Sequence, residues 1–130
     1  MFIHEKEDNM KKRLKEVMEQ AKTINAEIRQ SMIRNTELKN SLDNANFELS
    51  MTRNIWLMKL SDMDKDELKE YGSNESIREA KFKKENEEQL SIIKTVQDRL
   101  KINNDNLSLN THDINDLKFE KDCLIALIGD

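Results

Sequence analysis

Residues 10–56 read MKKRLKEVMEQAKTINAEIRQSMIRNTELKNSLDNANFELSMTRNIW, and their apolar spacing decides the fold. Met10, Leu14, Val17, Ala21, Ile24, Ile28, Ser31, Asn35, Leu38, Leu42, Ala45, Leu49, Thr52 and Trp56 alternate at steps of 4 and 3. That step is the a/d stripe of a left-handed helical coil. A second stripe with the same step runs through Phe82, Asn86, Gln89, Ile93, Val96, Leu100, Asn103, Leu107, Asn110, Ile114, Leu117, Lys121, Leu124 and Ile128. A single long helix would leave its stripe in water, so each predicts a helical partner.

Composition points the same way. The 130 residues contain no proline and only two glycines, and charged (37%) and hydrophobic (36%) residues are balanced, as in a thin structure with one apolar seam. The expected fold is therefore all-α: a long antiparallel coiled-coil hairpin, dimerised through its elbow end. Residues 1–60 form the first long helix, 61–74 an elbow with a short helix, and 75–130 the second long helix, all in one elongated domain. Ser61 is the expected cap of the short helix, Tyr71-Gly72 its stop, and Asn74 the cap of the second arm, with Glu75 in its first turn. Placing Trp56 opposite Phe82 keeps both stripes in phase and sets Asn35 opposite Asn103, a buried amide pair that would fix the register.

Charge and motifs narrow the functional classes. The net charge of -4 divides into 11 basic and 9 acidic residues up to Lys59, and 11 basic and 17 acidic ones after it, which favours pairing between the halves. No run approaches a membrane span, the first residues do not resemble a signal peptide, and a cytoplasmic location is expected. One cysteine, Cys123, and two scattered histidines give neither an intrachain disulfide nor a metal site, and Cys123 is expected to pack near the terminal seam. Asp62, Asp64, Asp66 and Glu67 have the charge of a calcium loop, but Glu67 and Ser73 occupy the positions that need glycine and a bidentate glutamate. His112, Asp113 and Asp116 lack a nucleophile beside them, so no enzyme and no cofactor is expected.

Two surfaces remain. Phe47, Met51, Ile55 and Met58 follow one another at steps of 4, 4 and 3 beside Trp56, more apolar surface than a two-helix ribbon covers, and predict contact with a second copy or another protein. Tyr71, Asn74 and Arg78 extend this candidate surface around the elbow. Lys11, Lys12, Arg13 and Lys15 form the strongest basic run, a candidate phosphate contact diluted by Glu16 and Glu19 and lacking aromatics for base stacking. At the chain ends, Phe2 and Ile3 are expected near Ile125, Leu127 and Ile128.

The segment Tyr71-Gly72-Ser73-Asn74-Glu75-Ser76-Ile77-Arg78-Glu79-Ala80 resembles the Gly-x-Asn-Glu-x-x-Arg turn-and-helix motif of small helical accessory proteins of bacteriophages and prophages. The resemblance covers about ten residues of the chain. It implies a non-enzymatic protein-binding factor, with inhibition of a host defence nuclease of the anti-CRISPR or anti-restriction type as one specific form. A nucleic-acid-binding accessory protein of phage replication or recombination, and a structural scaffold, are the alternatives.

Overall fold

A computed structural model describes the backbone of residues 2–129 and the side chains of residues 4–129. It is all-α, but the two-helix coiled-coil hairpin expected from the stripes is corrected to four helices: α1 (Phe2–Ser61), α2 (Lys65–Tyr71), α3 (Glu75–Glu85) and α4 (Glu87–Ile128). They contribute to two compact units, residues 1–36 with 101–130 and residues 37–100.

In the first unit α1 packs antiparallel on α4, since Arg13 meets Glu120 while Ser31 meets Asn103. Met10, Leu14, Ala21, Ile24 and Ile28 are half-buried, as are Leu107, Ile114, Leu117 and Leu124, and among the described apolar residues of this unit only Val17 is fully buried. The seam is thus one side chain deep. Polar residues set its register differently from expectation. Asn103 Nδ2 donates 2.9 Å to the backbone oxygen of Ser31, four residues before Asn35, and the Asn35 Oδ1 is buried without a protein donor. A backbone carbonyl satisfies the Asn103 amide as well as a second asparagine would, so the pairing of Asn35 with Asn103 is replaced. Arg13 and Glu120 make a two-pronged ion pair at 2.7 and 3.0 Å across the same helices.

The second unit holds residues 37–61 of α1, then α2, α3 and the first part of α4. Phe82 and Ile93 are its buried apolar residues, with Leu38, Leu42, Leu49, Trp56 and Leu60 half-buried. After α1, Met63 N–H closes a tight turn on Leu60 O at 3.2 Å. Asp64, rather than Ser61, caps α2: its Oδ1 accepts the Glu67 N–H at 2.8 Å. That bond, more than any other, holds the Asp64 carboxyl below the ordinary range. Asn74 caps α3 by accepting the Ile77 N–H at 2.9 Å.

Gly72 is extended, with φ -172° and ψ 125°, so a left-handed turn is not the reason for glycine. A Cβ there would stand 2.6 Å from Arg78 Cγ and 3.2 Å from the Arg78 nitrogen. The glycine lets α3 approach the end of α2.

The expected second arm, continuous from residue 75, is broken at Asn86. Its backbone N–H and its side-chain Nδ2 both donate to Phe82 O, at 3.0 and 2.9 Å, with φ -114° and ψ 25° outside the helical well. A short amide side chain that competes for the helical carbonyl ends α3 here, and α4 restarts at Glu87. Threonine hydroxyls are instead absorbed within the helices, as where Thr52 Oγ1 bonds Glu48 O at 3.0 Å. The expected meeting of Phe2 and Ile3 with the other terminus lies outside the described side chains.

Candidate protein-interaction surface

Helical geometry separates two faces of α1 within residues 37–61. Leu42, Leu49, Trp56 and Leu60 lie on the seam side, while Phe47, Met51, Ile55 and Met58 lie about half a turn away from them. The second group is 65%, 49%, 53% and 67% exposed, respectively. Nothing in the unit covers it. Leu57, also exposed, lies about a third of a turn round the helix from this row and lines a groove with Glu75, Arg78 and Glu79 of α3.

The elbow residues have different tasks from those expected. Trp56 Nε1 donates to the Tyr71 hydroxyl at 2.9 Å, tying α1 to α2, and the Trp56 ring lies 4.8 Å from that of Phe82 at an interplanar angle of 43°, tying α1 to α3. Arg53 completes the cluster: its guanidinium is 5.7 Å from the Trp56 ring centre and 5.2 Å from that of Phe82, and it pairs with Glu79. Lys81 Nζ lies 4.7 Å above the Tyr71 ring. Trp56 and Tyr71 are therefore spent on the internal joint and do not stand out as partner anchors. Asn74 is occupied as a helix cap, and Arg78 Nε donates to Asn74 O at 3.2 Å, so both are turned to the elbow itself.

Arg53 and Glu79 were missed in the sequence. Each stands three residues before an aromatic of the joint, Trp56 and Phe82, and opposite charges at matched offsets were the available signal.

The basic run is partly spent as well. Arg13 is engaged by Glu120 and by Glu16 at 3.5 Å, and Lys11 lies 3.9 Å from Glu7. The hydrogen bond from Arg13 is the largest cause holding the Glu120 carboxyl below its ordinary range, and the reverse contact raises the guanidinium pKa. Lys12 and Lys15 are exposed.

Candidate chemistry stays dispersed. Among the described residues no three His, Cys, Asp or Glu side chains gather as metal ligands. His112 and Asp116 face each other at 3.4 Å on an exposed turn, and Cys123, expected to pack, is exposed. An open groove of the first unit is bordered by Lys22, Glu27, Arg34, Asn110 and Asp113, a mixture of charges without a nucleophile. No described helix is long and apolar enough to cross a membrane.

Compared with known proteins, the chain matches no protein-family model, no curated protein and no solved structure.

Proposed function

We propose that this chain is a non-enzymatic, cytoplasmic protein-binding factor that presents the outer face of α1. The exposed row Phe47, Met51, Ile55 and Met58 carries the proposal, because large side chains about half exposed or more on a well-formed helix are costly to leave in water and suit a hydrophobic anchor. The helix holds them on one rigid face, so little conformational freedom is lost when a partner covers them. Two methionines among the four let the face adapt to the shape it meets.

Steric blockade of a bacterial defence nuclease is a specific form of this activity, and it rests on the elbow resemblance alone. The nucleic-acid alternative is weakened by the engagement of Arg13 and Lys11 with carboxylates.

Co-purification from the natural source, followed by direct binding of the identified partner, tests the reading. Met51→Lys is expected to weaken binding by about thirtyfold or more, the effect of removing a hot spot, whereas Lys12→Gln with Lys15→Gln leaves it unchanged. Partner binding indifferent to Met51→Lys would overturn the proposal. Nucleic acid retained by the native chain and lost with the lysine pair would support the alternative.

A further inference from the structure

The outer face of α1 has a symmetry that bears on what covers it. Counting along α1, Phe47 and Met58, Met51 and Ile55, and Glu48 and Lys59 are each centred within half a residue of Arg53, as are Asn44 and Asp62, the latter one residue past the helix end with its N–H still bonded to Met58 O at 3.1 Å. At about 100° per residue the members of each pair also stand on the same side of the face, Glu48 and Lys59 together on one flank. Arg53 itself points the other way, into the joint with Glu79. Neither Glu48 nor Lys59 takes part in an ion pair among the described residues.

From this arrangement we infer that the row is covered by a second copy of the chain, with the two α1 helices antiparallel about a two-fold axis at the level of Arg53. The inference rests on the reading of this row as a contact surface and names its occupant.

An antiparallel two-fold sets residues on one flank of a helix against the same flank of its partner, in reversed order. Phe47 then packs on Met58 of the other copy and Met51 on Ile55, each contact occurring twice. Glu48 faces Lys59 of the partner at both ends, and Asn44 offers its amide to the partner's Asp62. Turned parallel about a two-fold, the flank of Glu48 and Lys59 would lie against the partner's opposite flank, where Ser50, Asn54 and Ser61 carry no charge, and both ions would lose their counterparts. Charge thus selects one orientation.

The size of the patch sets its strength. Four large side chains, each about half exposed or more, offer on the order of 400 Å² per copy, and their polar border brings this toward the roughly 800 Å² per partner of a standard interface. The pair is accordingly concentration-dependent, with dissociation in the micromolar range.

Sedimentation equilibrium over a concentration series tests the inference, with far-UV circular dichroism confirming that each variant keeps its helices. The native chain is expected to move from monomer to dimer, and Met51→Lys to stay monomeric. Glu48→Lys or Lys59→Glu alone weakens the dimer about tenfold, while the two together restore it, because only in combination do opposite charges face each other again. With Cys123→Ser, a disulfide between copies forms readily at Asn54→Cys, close to the axis, and not at Phe47→Cys, far from it. A native chain that is monomeric throughout overturns self-pairing and leaves a different protein as the occupant, in which case Met51→Lys still abolishes capture of that protein. A dimer in which the charge exchange gives no rescue overturns the antiparallel arrangement.

Discussion

Replacing Phe82 by alanine should loosen the joint of the second unit more than any other single truncation there. Phe82 is 2% exposed, its ring 4.8 Å from that of Trp56 and 5.2 Å below the Arg53 guanidinium. Fully buried Phe→Ala changes cost about 3–5 kcal/mol, from lost transfer energy and the cavity left behind. Because Trp56 beside it is only half-buried, water reaches the space created, and the expected loss is at the lower end, about 3 kcal/mol. With a urea dependence of about 1.5 kcal/mol/M, this moves the midpoint down by about 2 M. Trp56 is the only tryptophan, so its fluorescence follows this joint directly, and its emission should shift to the red in the variant. Phe119, 73% exposed, supplies the control: Phe119→Ala, followed by circular dichroism, should change stability by less than about 0.5 kcal/mol. A loss below about 1 kcal/mol at Phe82, or an equal loss at Phe119, would refute the assignment of Phe82 to the joint.

Three further outcomes follow from the same packing. Asn35→Leu should stabilise the chain by about 1 kcal/mol in thermal or urea unfolding, because its Oδ1 is buried without a protein donor; a loss of stability would show that the amide is satisfied after all. Gly72→Ala should cost about 1–3 kcal/mol by driving a methyl into Arg78, and Arg78→Ala added to it should recover part of that cost; strictly additive losses would contradict the close approach as the cause. Glu120 is held below the ordinary carboxylate range by Arg13, so its contribution to stability is complete above that range and is lost as pH falls through the lowered value. The gap in melting temperature between the native chain and Glu120→Gln should accordingly be constant from neutral pH to about pH 5 and close below it, and a gap that widens on acidification would reverse the sign of the argument.

The apolar stripes were legible in the sequence to a considerable depth. Every position from Met10 to Trp56 and from Phe82 to Ile128 in the two series is buried or half-buried. Periodicity reports which side of a helix is covered, but it does not report how many helices share the covering. Asn86 carries too little intrinsic penalty to mark a break, and only the double donation to Phe82 O shows why α3 ends there. Register failed in the first unit for a related reason: Asn103 finds an acceptor in the Ser31 backbone, and backbone acceptors recur at every residue. Gly72 was identified as a stop, but its cause is room for Arg78 rather than positive φ.

The candidate surface divides in the same manner. Phe47, Met51, Ile55 and Met58 were recognisable from their spacing on the side away from the seam. Trp56 and Tyr71 were not recognisable as internal, because their hydrogen bond joins residues from separate helices whose meeting depends on the elbow.

Methionine methyl resonances test the central claim, that the outer face of α1 is a contact surface, most directly. Met51 and Met58 lie on that face, whereas Met18 and Met32 are comparably exposed elsewhere on α1. With methyl-labelled methionine, the Met51 and Met58 signals should shift or broaden as the chain is concentrated or a purified partner is added, while those of Met18 and Met32 stay in place. Movement at Met18 and Met32 with Met51 and Met58 unchanged, or no movement under either condition, would contradict the account.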